Sequence, residues 1–565
     1  MAMIGISNTV TQNFDKTIKM SKKFVVPKFQ RDYSWDKEQW SDLWDDIETM
    51  LASKDERYHY MGYLVLQDVG RDESLIIDGQ QRFATIVFII LAAMKAIKKM
   101  AESGIDKDEN TTRYETLAKE YVGDIDTVSL EYNNILKLNR NNDGYFKDYI
   151  VKLEDLPFRN LNKSEKLMKS SFEFFESKLS GKFTNGADYA NFIKNLVSGL
   201  YFTIITVTDD MNAFRVFETL NARGVQLSSA DLLKNYFFSL VDDNSSHNSR
   251  INHLDDLWER LTSIIQTRKL PDFIRYYWNC SHKSVRSAEL FKVVKSEIKT
   301  DKDVFTMVNG MIKYADIFMA LQDPNDETWE RNRDVAYDIR LLKLFGLKQP
   351  LSMLMAAYAQ KPFKDFAKLL HYTIFICFRY NVISNRNPND MEKVLNTIAM
   401  EITRTGEIHY SELQKIYVDD TAFVSNFQLK EFGISTPDKQ KVRYILGVIE
   451  KAASSHEVAL DDDSATIEHI LPQNPDESWD VDDIKIGRLV YRLGNLCLLE
   501  RSLNSEVSNK NYTEKTDVYK KSSYKTTSSI PDNYHEWNED AINKRQNKMA
   551  DIARGHWSID FSKIS

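Results

Sequence analysis

Apolar positions along the first eighty residues group into short β-branched runs, with one stretch at helical spacing between them. Phe24–Pro27 (FVVP) predicts a short strand. The runs 58–69 (YHYMGYLVLQDV) and 75–78 (LIID) flank the polar segment 70–74, which predicts a β-hairpin. Trp35, Trp40, Leu43, Trp44 and Ile47 recur at helical spacing, so 36–52 predicts an amphipathic helix. A second helix over 83–101 follows the hairpin directly. Its run from Phe83 to Met94 is too short to cross a bilayer and reads as a buried helix. Residues 110–200 are polar, with apolar positions every three or four residues, and read as helical. Tyr201–Val207 (YFTIITV) reads as an isolated, fully buried strand. A helix over 211–221 breaks at Asn221-Ala222-Arg223-Gly224, and another starts near Ser228 or Ser229 with Asp231 in its first turn. Residues 245–450 look helical throughout, with polar breaks near 322–334 and 383–391.

Composition adds limits. The 565 residues are 42% apolar and 28% charged, an ordinary globular balance with length for more than one core. With 19 Gly and 11 Pro the chain is poor in turn formers, so a mostly helical protein is expected. Cys280, Cys377 and Cys497 lie too far apart for a disulfide framework or a four-cysteine zinc site, which points to a reducing interior. The first residues lack a basic start followed by an apolar core, so no signal peptide and no membrane partner is expected. A net charge of −8 argues against a protein coated in nucleic acid but leaves local basic grooves open. Charge changes abruptly near 455. Residues 457–483 hold ten acidic residues and no Lys or Arg, whereas 484–525 carry nine Lys or Arg against four acidic residues. That contrast suits a site that holds a cation and faces phosphates.

Candidate chemistry concentrates at both ends. Near the C-terminus, Thr466-Ile467-Glu468-His469-Ile470-Leu471-Pro472 precedes Leu493-Gly494-Asn495, and Asn504 follows nine residues later. A carboxylate beside an imidazole at a strand end, with an Asn returning on a helix, offers hard oxygen ligands for Mg2+ or Mn2+ at Glu468 and Asn504. An unliganded His469 can then act as general base toward water. A buried, satisfied histidine with asparagines as turn formers and caps is the bland alternative. Near the N-terminus, Val26–Trp35 (VPKFQRDYSW) joins Ile77-Asp78-Gly79-Gln80-Gln81-Arg82. Gly79 permits a tight turn and close backbone approach. Gln80, Gln81 and Arg82 stand at the start of a helix, where free N–H groups and an arginine fork favour an anion. Asp78 could hold a metal or a ribose hydroxyl, while Gln30, Arg31, Tyr33 and Trp35 offer amide, cationic and aromatic surfaces. The bland alternative is a capped hairpin-to-helix junction. No Gly-rich phosphate loop ending in Lys-Ser or Lys-Thr is present.

The C-terminal stretch resembles the HNH (ββα-metal) motif in the version carried by GmrSD-type, modification-dependent restriction endonucleases. The resemblance makes His469 the general base, Glu468 and Asn504 the metal ligands, and Asn495 the middle asparagine that orients the histidine and holds its loop. Many HNH nucleases carry Asp where this chain has Glu468. Asn509 and Lys510 fit the family's Asn-rich helix. Trp537 and Arg545 fit its Trp…Arg pattern, with packing expected for the first and phosphate contact for Lys510 and Arg545. The N-terminal stretches resemble the ParB/sulfiredoxin-like DGQQR domain of the same family, and so do Ala213, Phe217, Glu218, Leu227, Asp231, Leu232, Lys234 and Asn235. That resemblance implies binding and hydrolysis of a nucleoside triphosphate. Asp78, Gly79, Gln80, Gln81 and Arg82 would stand at its phosphate and metal end, Gln30 and Arg31 in the same cleft, and Asn221 and Arg223 further out.

The expected fold is mixed α/β and predominantly helical. A nucleotide-binding domain over 1–240, a helical middle over 241–454 and a nuclease domain over 455–565 are anticipated. The expected function is a nucleotide-regulated, metal-dependent type IV endonuclease, acting on modified or phage DNA in antiphage defence in the bacterial cytoplasm. A non-cleaving, nucleotide-dependent DNA-binding switch and an RNA-cleaving toxin are the rival readings, and a homodimer is left open. The middle carries no motif, which leaves a spacer, a dimer surface and a DNA clamp open.

Overall fold

The computed structural model describes residues 6–564 except 29, 54–56, 71, 126–129, 131, 154–156, 158–159, 208–227, 242–248, 267, 434, 461–463, 476–478 and 480–486. Two compact units emerge: Met1–Glu259 with Ala288–Val308, and Arg260–Ser287 with Asn309–Ser565.

The first unit is built on β1 (Ile6–Asn13), β2 (Lys23–Val25), β3 (His59–Gly70), β4 (Glu73–Asp78), β7 (Leu136–Lys137) and β8 (Leu200–Val207). Between β4 and β7, β5 (Gly123–Ile125) and β6 (Tyr132–Asn134) form a separate two-stranded sheet. The main sheet runs β1-β8-β3-β4-β2-β7 and mixes parallel with antiparallel pairs. The hairpin is β3 against β4, in antiparallel register with Gln67 opposite Leu75. Helix α1 (Lys37–Ala52) opens on an Asp36 capping box, and its Trp40, Leu43, Trp44 and Ile47 turn into the core.

Helix α2 (Gln80–Glu102) buries the whole stretch from Phe83 to Met94. It packs against Lys107–Tyr121, α3 (Lys163–Leu179) and α4 (Gly186–Gly199). Its one polar residue in that stretch, Thr85, donates to Gln81 O at 2.7 Å and meets the Tyr33 hydroxyl at 2.8 Å, so it is fully satisfied. Two expectations need correction. Residues 110–200 are not purely helical, because β5, β6 and β7 interrupt them. Tyr201–Val207 is neither isolated nor fully buried. It sits between β1 and β3, with Tyr201, Thr203 and Thr206 only half-buried. Helix α5 (Ser229–Leu240) starts at Ser228 with Asp231 closing a capping box. The helix expected over 211–221 lies outside the described residues.

Among its described residues, the second unit is helical apart from one antiparallel strand pair. Its helices include α6 (Arg333–Leu344), α7 (Phe363–Cys377), α8 (Pro388–Thr405), α9 (Asp420–Gln428) and α10 (Thr436–Ser454). Strands β9 (Ala465–His469) and β10 (Leu496–Glu500) follow, then α11 (Arg501–Val507), α12 (Tyr512–Tyr519) and α13 (Glu539–His556). Arg379 is fully buried and donates to Val418 O at 2.8 Å, Trp557 O at 3.1 Å and Asp420 at 2.6 Å. Its guanidinium also stacks over Tyr417 and Phe423. Among the described residues no helix is long and apolar enough to cross a membrane. All three cysteines are free and buried.

His371 on α7 meets the buried Asp338 of α6 at 3.1 Å. That hydrogen bond and the aspartate charge raise the imidazole above its ordinary 6.5. The pair therefore stabilises the fold below that value, and the contribution fades as pH rises through the folded-state pKa. In thermal melts over a pH series, Asp338→Asn should lower the melting point most at about pH 6. The gap from the wild type should close toward alkaline pH.

Candidate functional site

β9 pairs antiparallel with β10, placing His469 opposite Leu496 and Glu468 opposite Cys497. Neighbouring strand residues project to opposite faces, and this separates the two groups that the motif sets side by side. Glu468 turns inward to α12. Its carboxylate accepts from Lys515 Nζ at 2.6 Å and from the Tyr519 hydroxyl at 3.2 Å. Lys515 also donates to His469 O at 2.9 Å. The pair is sealed, with side-chain exposures of 0% for Lys515 and 7% for Glu468. Burial pushes the Glu468 carboxyl up while the lysine charge opposes it.

His469 turns instead to a cleft of about 350 Å³, which it shares with Thr466, Gln473, Tyr491, Lys439 and Arg443. Its Nε2 lies 3.3 Å from the Gln473 amide, and the Tyr491 ring stands edge-on to it. Burial, then the charges of Lys515 and Lys439, hold the imidazole down to about 4, so the ring is neutral at neutral pH. A neutral ring nitrogen facing a cavity can accept a proton.

Asn495, expected to orient the histidine and hold its loop, does the second. It is fully buried, accepts from Leu471 N at 2.8 Å and Trp537 Nε1 at 2.9 Å, and donates to Leu471 O and Val490 O. Its contacts staple the turn after His469 rather than touch the ring. Trp537 packs as expected.

Asn504 on α11 donates to Thr466 Oγ1 at 2.7 Å and Ile467 O at 3.4 Å. The proposed cation site therefore does not fit this arrangement. Its carboxylate is neutralised by a buried ammonium and directed away from the face that carries His469. Among the described residues no group of three acidic, His or Cys side chains converges for a metal. Most of the acidic strip lies outside the described residues.

Arg545 also departs from expectation. Rather than reaching for phosphate, it is buried and donates to the carbonyls of Gly494 and Leu496 at 2.8 and 2.7 Å. Lys510 remains exposed.

At the other end, Gly79 adopts φ 91° and begins α2 without a side-chain cap. A Cβ there would meet Leu64 Cδ1 at 2.8 Å, so both the turn and the packing require glycine. The three glutamines expected at the nucleotide are buried and already occupied. Gln30 Nε2 donates to Ile77 O at 2.8 Å, and Gln80 Nε2 to Arg31 O at 3.0 Å. Gln81 accepts from Ser34 N at 2.8 Å and donates to Asp32 O at 3.2 Å. They tie segment 30–34 to the end of β4 and the start of α2, a hairpin-to-helix junction as in the bland alternative but without its side-chain cap.

Asp78 and Arg82 beside them are half-buried, and Arg82 already donates to Met61 O. Arg82 lies 3.9 Å from Asp78, whose carboxyl is pushed up by burial against the pull of Arg82 and Arg31. Arg31 itself is exposed. Nearby, Lys234 stands 4.0 Å from Asp255, and Arg140 bridges Asp255 and Asp256. Asn221 and Arg223 lie outside the described residues.

Sequence reasoning missed Lys439, Arg443, Gln473 and Lys515. Lys439 and Arg443 carried a signal, since basic residues four apart share a helix face. Lys515 and Tyr519 have the same spacing, but a lysine is rarely fully buried unless it is paired.

Two comparisons bear on these sites. The N-terminal domain of the GmrSD restriction endonucleases matches residues 13–238, and the C-terminal domain of the same enzymes matches residues 419–552. No curated protein matches the chain.

The buried pair makes a definite prediction. Lys515→Met leaves a carboxylate unpaired and should cost about 3–5 kcal/mol in urea unfolding. Lys515→Met combined with Glu468→Met should recover most of that loss.

Proposed function

The chain belongs to the GmrSD restriction endonuclease family, and we propose that this restriction nuclease hydrolyses the DNA backbone at the His469 cleft under control of a nucleotide bound at the Asp78–Arg82 junction. The observation that carries the reading is an imidazole that lines a cleft together with Lys439 and Arg443. His469 takes a proton from water. The water oxygen forms the new bond to phosphorus, and the bond to the leaving sugar oxygen breaks. That oxygen takes a proton from solvent. Gln473 holds the ring through its amide, and Asn495 fixes the turn that carries it. The step uses His469 and water, because the Glu468 carboxylate is committed to Lys515. A dependence on Mg2+ or Mn2+ stays part of the proposal and is read directly from assays with and without the ion.

The substrate is proposed to be modified or phage DNA, cut in antiphage defence. In the first unit, the uncapped start of α2 with Arg31 and Arg82 supports binding of a nucleoside triphosphate, and Asp78 supports its hydrolysis. One observation favours a rival: with Glu468 committed to Lys515, the chain would serve as a non-cleaving, nucleotide-dependent DNA switch.

Cleavage assays on plain, glucosylated and phage DNA separate the two readings. His469→Ala should lose about 10²–10⁴-fold in cleavage while keeping its melting point. Equal cutting by wild type and variant removes His469 from the role of base, and no cutting by the wild type on any substrate favours the switch. In the first unit, Arg31→Ala should weaken binding of a fluorescent triphosphate roughly tenfold, the loss of one charge-assisted contact.

A further inference from the structure

The cleft has a wall that precedes the motif in sequence. Lys439 and Arg443 lie one turn apart on α10, which packs beside both β9 and β10. They reach the cleft from the side that faces His469, and among its described lining residues there is no carboxylate. Across Phe432 and Gly433, which the two hollows share, lies a second recess of about 270 Å³ with Lys430 and Lys441 in its lining. Lys430 donates to Asn385 at 2.9 Å. Two carboxylates face that recess, Asp438, which pairs with Lys441 at 3.3 Å, and Glu431. Lys430 is half-buried, and burial, then the Lys441 charge, hold its ammonium down to about 8. A cation held in a partly dry recess gains from an anion that replaces its lost water.

We infer that α10 and the segment before it form a DNA-backbone track. Lys439 and Arg443 hold the phosphate next to His469, and Lys430 holds a neighbouring phosphate beyond Phe432. This inference rests on the nuclease reading of the same cleft. It deepens that reading by assigning the phosphate contacts to residues outside the Glu-His motif. Contacts to phosphates alone carry no base information, so the track binds any sequence and discrimination between DNAs arises elsewhere.

The test measures duplex binding by the full chain at several salt concentrations, with cleavage followed in parallel. Lys439→Gln with Arg443→Gln should weaken binding uniformly across sequences and flatten the log affinity against log salt slope by about two. Lys430→Gln should flatten it by about one. Lys439→Arg should restore binding, and Lys364→Gln, an exposed charge elsewhere, should change nothing. Unchanged melting points exclude misfolding. Wild-type affinity and slope in the double variant overturn the track even if cleavage falls, since the two residues would then act on chemistry alone. A wild type that binds DNA without cutting it, while the variants lose slope, keeps the track and removes the nuclease reading. A wild type that binds no duplex overturns both.

Discussion

The buried Lys515–Glu468 pair sets the geometry of everything around the cleft. A charge removed from water is tolerable only when it is paired and its remaining valences are met. Here the ammonium meets the carboxylate and the His469 carbonyl, while the Tyr519 hydroxyl completes the carboxylate. That arrangement locks the inner face of β9 onto α12. Strand alternation then leaves His469 a single direction, outward and toward α10. An orientation that could pass for a property of the histidine is imposed by its neighbour.

A second constraint acts just downstream. Asn495 closes hydrogen bonds to both sides of the turn at Leu471, and Trp537 seals it from above. Arg545 pins the carbonyls of Gly494 and Leu496 at the start of β10. A Cβ on Gly494 would strike Ile542 O at 2.2 Å, so α13 can lie directly against that turn. Polar groups that look like ligand contacts on paper are here a scaffold. The cavity is lined by other side chains, among them His469, Gln473, Tyr491, Lys439 and Arg443.

The sequence carried the helices best where periodicity was strong. The Trp40, Leu43, Trp44 and Ile47 stripe and the Ser228–Asp231 cap both lie where spacing placed them. β1 was invisible, because ISNTVTQN is an exposed edge strand whose register comes from β8, nearly two hundred residues away. The location of the candidate site was legible from Glu468, His469 and Asn495, but its internal arrangement was not. Spacing cannot say that a lysine 47 residues downstream will claim the carboxylate. Nor can it say that Gln30, Gln80 and Gln81 will satisfy backbone groups before any ligand arrives. Tertiary partners decide whether a polar side chain is available.

The Arg379 anchorage makes distant stretches of the chain cooperative. Its guanidinium, sunk between Tyr417 and Phe423, needs the carbonyl of Trp557 as well as Val418 and Asp420. Without the carbonyl of Trp557, one donor of a fully buried cation would have no acceptor. One guanidinium therefore couples residues 379, 417–423 and 557, so that none of these stretches can loosen alone.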